Sequence, residues 1–204
     1  MFYYLKGTVT VMEQNLAVID VGGVGYACYV SLNTMSYLET GKETKLFTYC
    51  NIKEDAFDIY GFHSMNEKRS FELLLSVSGV GPKAALSILS STTPEGLALA
   101  IVNGDEKAIT VAQGIGKRIA QRVILELKDK ISKESAEIVA SGVIPAVPTG
   151  GSAAKHAAKH AEASAALAVL GFTPAEAAAV LKTIDVDELS IEDIIREALA
   201  KSLK

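Results

Sequence analysis

Two short phrases near the middle of the 204-residue chain hold the residue types and spacing best suited to chemistry. The first reads Val77-Ser78-Gly79-Val80-Gly81-Pro82-Lys83-Ala84-Ala85. The second, 35 residues later, reads Ala112-Gln113-Gly114-Ile115-Gly116-Lys117-Arg118-Ile119-Ala120. Each is a Gly-apolar-Gly turn, then a basic residue, then an apolar-periodic run with the spacing of a helix. Such a turn gathers unpaired backbone N–H groups at the positive end of the helix dipole, where an oxyanion is the natural ligand. Glycine admits dihedrals closed to other residues and lets a ligand approach the backbone closely. Lys83 adds a charge-assisted contact in the first copy, as do Lys117 and Arg118 in the second. Arg122 lies one helical turn beyond Arg118, on the same side. One Gly-x-Gly between helices is ordinarily a connector. Two in register, at Gly79-Val80-Gly81 and Gly114-Ile115-Gly116, suit two phosphates of one backbone, held with little reading of bases.

Other candidate chemistry falls away on inspection. The spacing GxxxxGK[ST] is absent, so no nucleotide-hydrolysis site is expected. No nucleophile elbow, metal-ligand cluster or catalytically placed carboxylate pair is present, and no cofactor and no enzymatic activity are expected. His156 and His160 have metal-like i, i+4 spacing but lack a third ligand, and read as solvated. Val21-Gly22-Gly23-Val24-Gly25-Tyr26 has the look of a dinucleotide fingerprint, yet a strand rather than a helix follows, so it reads as a hairpin turn. Cys28 and Cys50 sit in strand-like runs and read as buried thiols.

The elements that position the repeated phrase follow from periodicity. Phe2 to Val11, Leu16 to Val21, Gly25 to Val30, Lys45 to Cys50 and Ala56 to Phe62 are rich in strand-forming residues. A small closed barrel of the OB type over residues 1–63 is expected. Helical periodicity then covers Met65–Ser76, Lys83–Leu89, Pro94–Asn103 and Lys117–Ile131, with a short helix near Glu106–Ala112, in a block over 64–134. Residues 135–155 hold two prolines, three glycines and small residues, and read as a flexible linker. Helices over Ala161–Leu170, Pro174–Leu181 and Ile191–Leu203 make a three-helix bundle over 156–204. The expected class is α+β multidomain.

The net charge of −4 argues at first against a polyanionic partner. It is unevenly spread. Residues 64–135 carry 10 basic and 8 acidic side chains, whereas 1–63 carry 4 and 7, and 136–204 carry 6 and 9. Only the block with the repeated phrase is basic, so any nucleic acid binds a local surface. No run has the length of a membrane span and no signal peptide is evident, so a soluble, cytoplasmic protein is expected.

LLLSVSGVGPKAALSIL and AQGIGKRIAQRVILELKDK resemble the tandem helix-hairpin-helix motifs of the RuvA family, which binds Holliday junctions. FYYLKGTV, IDVGGVGY, KEDAFDIYGF and ALAVLGFTPAEA are similar to family segments as well, so the resemblance runs the length of the chain. It implies a non-catalytic homotetramer, alone or doubled to an octamer on DNA, holding four duplex arms in a square plane. The hairpins would grip the minor-groove side of each arm. The C-terminal bundle, UBA-like in this reading, would recruit the RuvB ring ATPase, with the RuvC resolvase a further partner. Glu54-Asp55, by residues alone a solvated hairpin tip, corresponds to an acidic pin where strands part. Two carboxylates there would repel ordinary duplex. Leu167, Leu170 and Phe172 are the residues expected to face the motor, with the bundle's own core as the alternative. Two other readings are a hairpin-docked nuclease or ligase fragment, and a protein-interaction adaptor with purely structural glycines.

Overall fold

The computed structural model describes residues 1–140, 152–186 and 189–203, with side chains of the second stretch described from residue 157. Five strands, β1 (Tyr4–Glu13), β2 (Leu16–Val21), β3 (Val24–Val30), β4 (Glu43–Ile52) and β5 (Phe57–Phe62), close into a barrel in the order β1-β2-β3-β5-β4. Neighbours are antiparallel except β3 and β5, which run parallel. Alternation decides what the barrel encloses. Leu5, Val9, Ala17, Ile19, Cys28, Val30, Leu46 and Ile59 point inward and are buried. The OB-type barrel expected from the strand pattern is thus present. Gly22 and Gly23 form the β2–β3 turn, where Asp20 Oδ1 accepts the Gly23 N–H at 2.9 Å, and a strand follows as expected. Cys28 and Cys50 both pair with Ile59, from opposite sides. They therefore stand two strand spacings, about 10 Å, apart, beyond disulfide reach. Burial pushes the Cys28 thiol up to about 12, which keeps it protonated.

A short helix, α1 (Leu32–Met35), was not anticipated, being too brief to show a period. Ser31 caps it, its Oγ accepting the Thr34 N–H at 2.9 Å. The longer helices are α2 (Met65–Leu75), α3 (Pro82–Ser91), α4 (Pro94–Asn103), α5 (Glu106–Thr110), α6 (Lys117–Ala140), α7 (Ser152–Val169), α8 (Pro174–Leu181) and α9 (Ile191–Ser202). The first residues of the linker expected over 135–155, up to Ala140, are helical. Residues 132–140 contain no glycine or proline, so α6 continues through them to Ala140. Ser135 is buried within that helix, its hydroxyl donating to the Ser132 carbonyl at 3.1 Å. At the other end the alanine-rich run starts α7 at Ser152 rather than at Ala161. The remainder of the linker, residues 141–151, lies outside the described residues.

The chain divides into two compact units, Met1–Pro94 with Ile109–Gly116, and Glu95–Ala108 with Lys117–Lys204. The block expected over 64–134 contributes to both. In the first unit, Phe71 of α2 packs its ring against Tyr49, Tyr60 and Phe62 at centroid distances of 5.4, 5.2 and 4.8 Å. Asn33 Nδ2 donates to the carbonyls of Leu89 and Thr92, both at 2.8 Å, which fixes the end of α3. The buried Glu67 carboxylate accepts the hydroxyls of Ser31 and Thr34. Burial pushes its pKa up, and those hydrogen bonds pull against it. In the second unit, α7, α8 and α9 form the expected three-helix bundle, and α7 also packs along α6. Arg196 Nε donates to Asn103 Oδ1 at 2.7 Å, which ties α9 to the end of α4. No single described helix is long and apolar enough to cross a membrane.

Candidate nucleic-acid interface

The two glycine phrases fold into the same turn. In the first, the Val77 N–H donates to the Leu74 carbonyl and the Val80 N–H to the Val77 carbonyl, both at 3.1 Å. In the second, the Ala112 N–H donates to Ile109 at 3.2 Å and the Ile115 N–H to Ala112 at 3.1 Å. Each bond has its counterpart exactly one repeat later. Gly79 and Gly114 take φ of 85° and 79°, the left-handed region that costs another residue about 1–2 kcal/mol. Gly81 differs. Its φ is −91° and a Cβ built there meets nothing within 4 Å. Gly116 is equally open. Neither the backbone nor the packing of the free protein requires glycine at these two positions.

Val80 and Ile115 face inward. Both were expected among the DNA-contacting residues, yet their side chains are only 6% and 7% exposed and their N–H groups close the turns internally. They plug the hairpins into the fold. The glycine amides lie outside these turn bonds. They and the first turn of the following helix could serve an anion as donors. Gly81 is the N-cap of α3, with Pro82 at the first helical position.

Lys83, Lys117 and Arg118 are exposed beside these turns. Arg122 is partly engaged, its Nε 3.8 Å from Glu126 Oε1 one helical turn on. A half-exposed pair of this kind is weak. The two turns are also linked directly. Ser87, on α3 of the first copy, donates its hydroxyl to the Gln113 carbonyl of the second at 2.8 Å. No sequence signal marked Ser87, since a serine on a helix surface ordinarily bonds its own helix.

Glu54 and Asp55 stand exposed at the tip of the β4–β5 hairpin. The Lys53 N–H donates to the Ala56 carbonyl at 2.8 Å to close that tip, and Ile52 pairs with Phe57 at its foot. Both carboxylates project from this short hairpin tip. The C-terminal bundle holds the three residues for which motor contact and core packing were both expected. Leu167, Leu170 and Phe172 are 1%, 2% and 5% exposed, and belong to the core. A bundle of this size has few large apolar residues and buries those it has. The Phe172 N–H donates to the Leu167 carbonyl at 3.0 Å past Gly171, and Thr173 and Glu176 form a capping box that starts α8. The side chains exposed at that corner are Pro174, Ala175, Glu176 and Ala179. The His156 side chain lies outside the described residues, and no group of three metal-ligating side chains occurs among the described ones.

Residues 1–61 match the family model described as RuvA N terminal domain, 71–129 the SAM-like helix-hairpin-helix tandem, and 158–203 the RuvA C-terminal domain. The Holliday junction branch migration complex subunit RuvA of Acetivibrio thermocellus is 44% identical over 201 residues, covering 98% of this chain and 97% of that protein. The protein of the same name from Ruminiclostridium cellulolyticum is 40% identical over 204 residues, and that of Thermoanaerobacter pseudethanolicus 43% over 205, each covering both chains in full. With barrel, duplicated glycine turn and C-terminal bundle in the same order, the chain belongs to the RuvA family.

Proposed function

We propose that this protein binds four-way DNA junctions as the DNA-binding subunit of a branch-migration complex and carries out no chemistry itself. The observation that carries the reading is the duplicated turn, identical in its hydrogen bonds and open at Gly81 and Gly116. Each turn takes a phosphate of a duplex arm on backbone N–H groups, and Lys83, Lys117 and Arg118 supply counter-charge. Contacts of this kind are blind to sequence. Selectivity comes from the acidic tip. Glu54 and Asp55 repel an intact duplex and suit the point where strands part.

Four copies arranged around one junction hold its arms in a square plane, and a second tetramer on the opposite face makes an octamer. The energy for moving the branch comes from the RuvB ring ATPase, recruited by the C-terminal bundle, and RuvC acts on the same junction. Leu167, Leu170 and Phe172 contribute by shaping the α7–α8 corner from within. The exposed Pro174, Ala175 and Ala179 lie nearer to any partner. The protein acts in the cytoplasm, where its DNA substrate resides.

Electrophoretic mobility with a four-way junction and a linear duplex of equal length tests the reading. Preference for the junction is expected; equal affinity, or no binding to either, contradicts it. Neutralising the tip (Glu54→Gln with Asp55→Asn) should strengthen linear-duplex binding several-fold. If duplex affinity does not change, the tip has no part in selectivity.

A further inference from the structure

The hairpin that carries Glu54 and Asp55 has a second feature at its foot. Ile52 on β4 is the register partner of Phe57 on β5, and opposed residues of an antiparallel pair project from the same face. Both are largely open to solvent, Ile52 at 65% and Phe57 at 53% exposure. Ile59, two residues on from Phe57 and on the same face, is the β5 residue within the barrel core, and Ile52 and Phe57 extend that face to the barrel's end. Phe57 is nonetheless held in place. Its ring centroid lies 6.0 Å from that of Phe2, which meets Tyr26 edge-on at 5.5 Å. Phe2 and Tyr26 in turn pack against the barrel core. The ring is braced from behind while more than half of the side chain remains uncovered.

An apolar pair directly beneath two carboxylates is selective in what it accepts. A sugar-phosphate backbone is repelled by the tip and finds no donor on isoleucine or phenylalanine. A paired base has both faces covered by its neighbours in the duplex. An unpaired nucleobase is uncharged and flat, and stacks on an aromatic ring whatever its identity. We propose that Ile52 and Phe57 form a stacking platform for bases left unpaired at the crossing point of the junction, an inference that rests on the junction-binding reading above. The hairpin then has two parts with separate tasks. Glu54 and Asp55 keep backbones away from the centre, and the platform below holds the bases released there. A second copy of the chain is the other occupant an exposed apolar pair invites. The solution mass of the Phe57→Ala variant separates that occupant from an unpaired base.

The test uses the full-length protein and four-way junctions carrying 2-aminopurine either at the crossing point or in mid-arm. Wild-type protein is first titrated against junction and linear duplex; failure to prefer the junction overturns the functional reading itself, before any variant is made. The variant Phe57→Ala should then lower junction affinity about fivefold or more, the loss of one base–aromatic stack, and leave linear-duplex affinity within about twofold. Emission from the crossing-point probe in its complex should rise several-fold over the wild-type complex, and the mid-arm probe should not respond. Phe57→Tyr, which keeps the ring, should behave as wild type. Because Phe57 is exposed, the melting temperature should be retained. Unchanged crossing-point emission with unchanged affinity would overturn the platform. A fall in solution mass for Phe57→Ala would overturn it as well, by assigning the surface to contact between copies.

Discussion

Laid over one another at an offset of 35 residues, the first and second glycine turns match wherever the fold needs them to. Leu74 and Ile109, Val77 and Ala112, Val80 and Ile115, Ala85 and Ala120, and Ile88 and Val123 are buried pairs. Gly79 with Gly114 and Gly81 with Gly116 repeat the open backbone. The differences lie on the outside. Pro82 is answered by Lys117, Lys83 by Arg118, Ser87 by Arg122 and Ser91 by Glu126. Proline has no N–H, so the second copy has one more backbone donor at its helix start as well as more cations. Geometry is therefore shared and charge is not. In the proposed reading the first turn works chiefly as a shaped donor surface, tied to the second through Ser87, and the second supplies most of the electrostatic attraction.

The strongest way to break this comparison is at the shared geometry. Gly114→Val forces a β-branched residue to a φ of 79°. It should lower the melting temperature by several degrees and reduce DNA affinity at least about 100-fold, and Gly79→Val should do the same. A large effect at one turn and none at the other would end the claim that both grip DNA. The charge difference comes next. Lys117→Glu with Arg118→Glu should weaken binding by about 100-fold and flatten the plot of log affinity against log salt by about 1.8. Lys83→Ala should cost about five- to tenfold and flatten the slope by about 0.9. Equal slopes for the two variants would mean that the copies contribute equally. The smallest expected effect is that of Ser87→Ala. Loss of its bond to the Gln113 carbonyl should cost about 1 kcal/mol of stability, measured by thermal melting, and less than about threefold in affinity.

Much of this was legible in the sequence because the relevant signals were local. The barrel followed from alternation and turn residues. The hairpins followed from a repeated glycine spacing, and the Pro94 start of α4 from the tolerance of proline in a first helical turn. What was not legible depended on how chain segments meet. Nothing in Gly-Val-Gly or Gly-Ile-Gly says whether the central amide points out or closes the turn. That is decided by the bond to Val77 or Ala112. Leu167, Leu170 and Phe172 could equally be surface or core, because a small bundle and its docking face draw on the same apolar residues. The end of α6 was misplaced because serine and charged residues near Ser135 resemble a linker in composition. In fact the next residue able to break the helix is Gly142. The assignment of an acidic pin also depended on resemblance, since Glu54 and Asp55 by themselves describe any polar hairpin tip.

The most direct test of the central claim, that bare backbone at the start of each helix holds the DNA, is the addition of one methyl group at Gly116. A Cβ there meets nothing within 4 Å, and the backbone lies outside the left-handed region. Gly116→Ala should therefore leave the melting temperature unchanged or slightly raised. Affinity for four-way DNA, measured on the same preparation, should fall at least about tenfold, because the methyl group stands where the phosphate must approach. Retained affinity in a variant of unchanged stability would contradict the account.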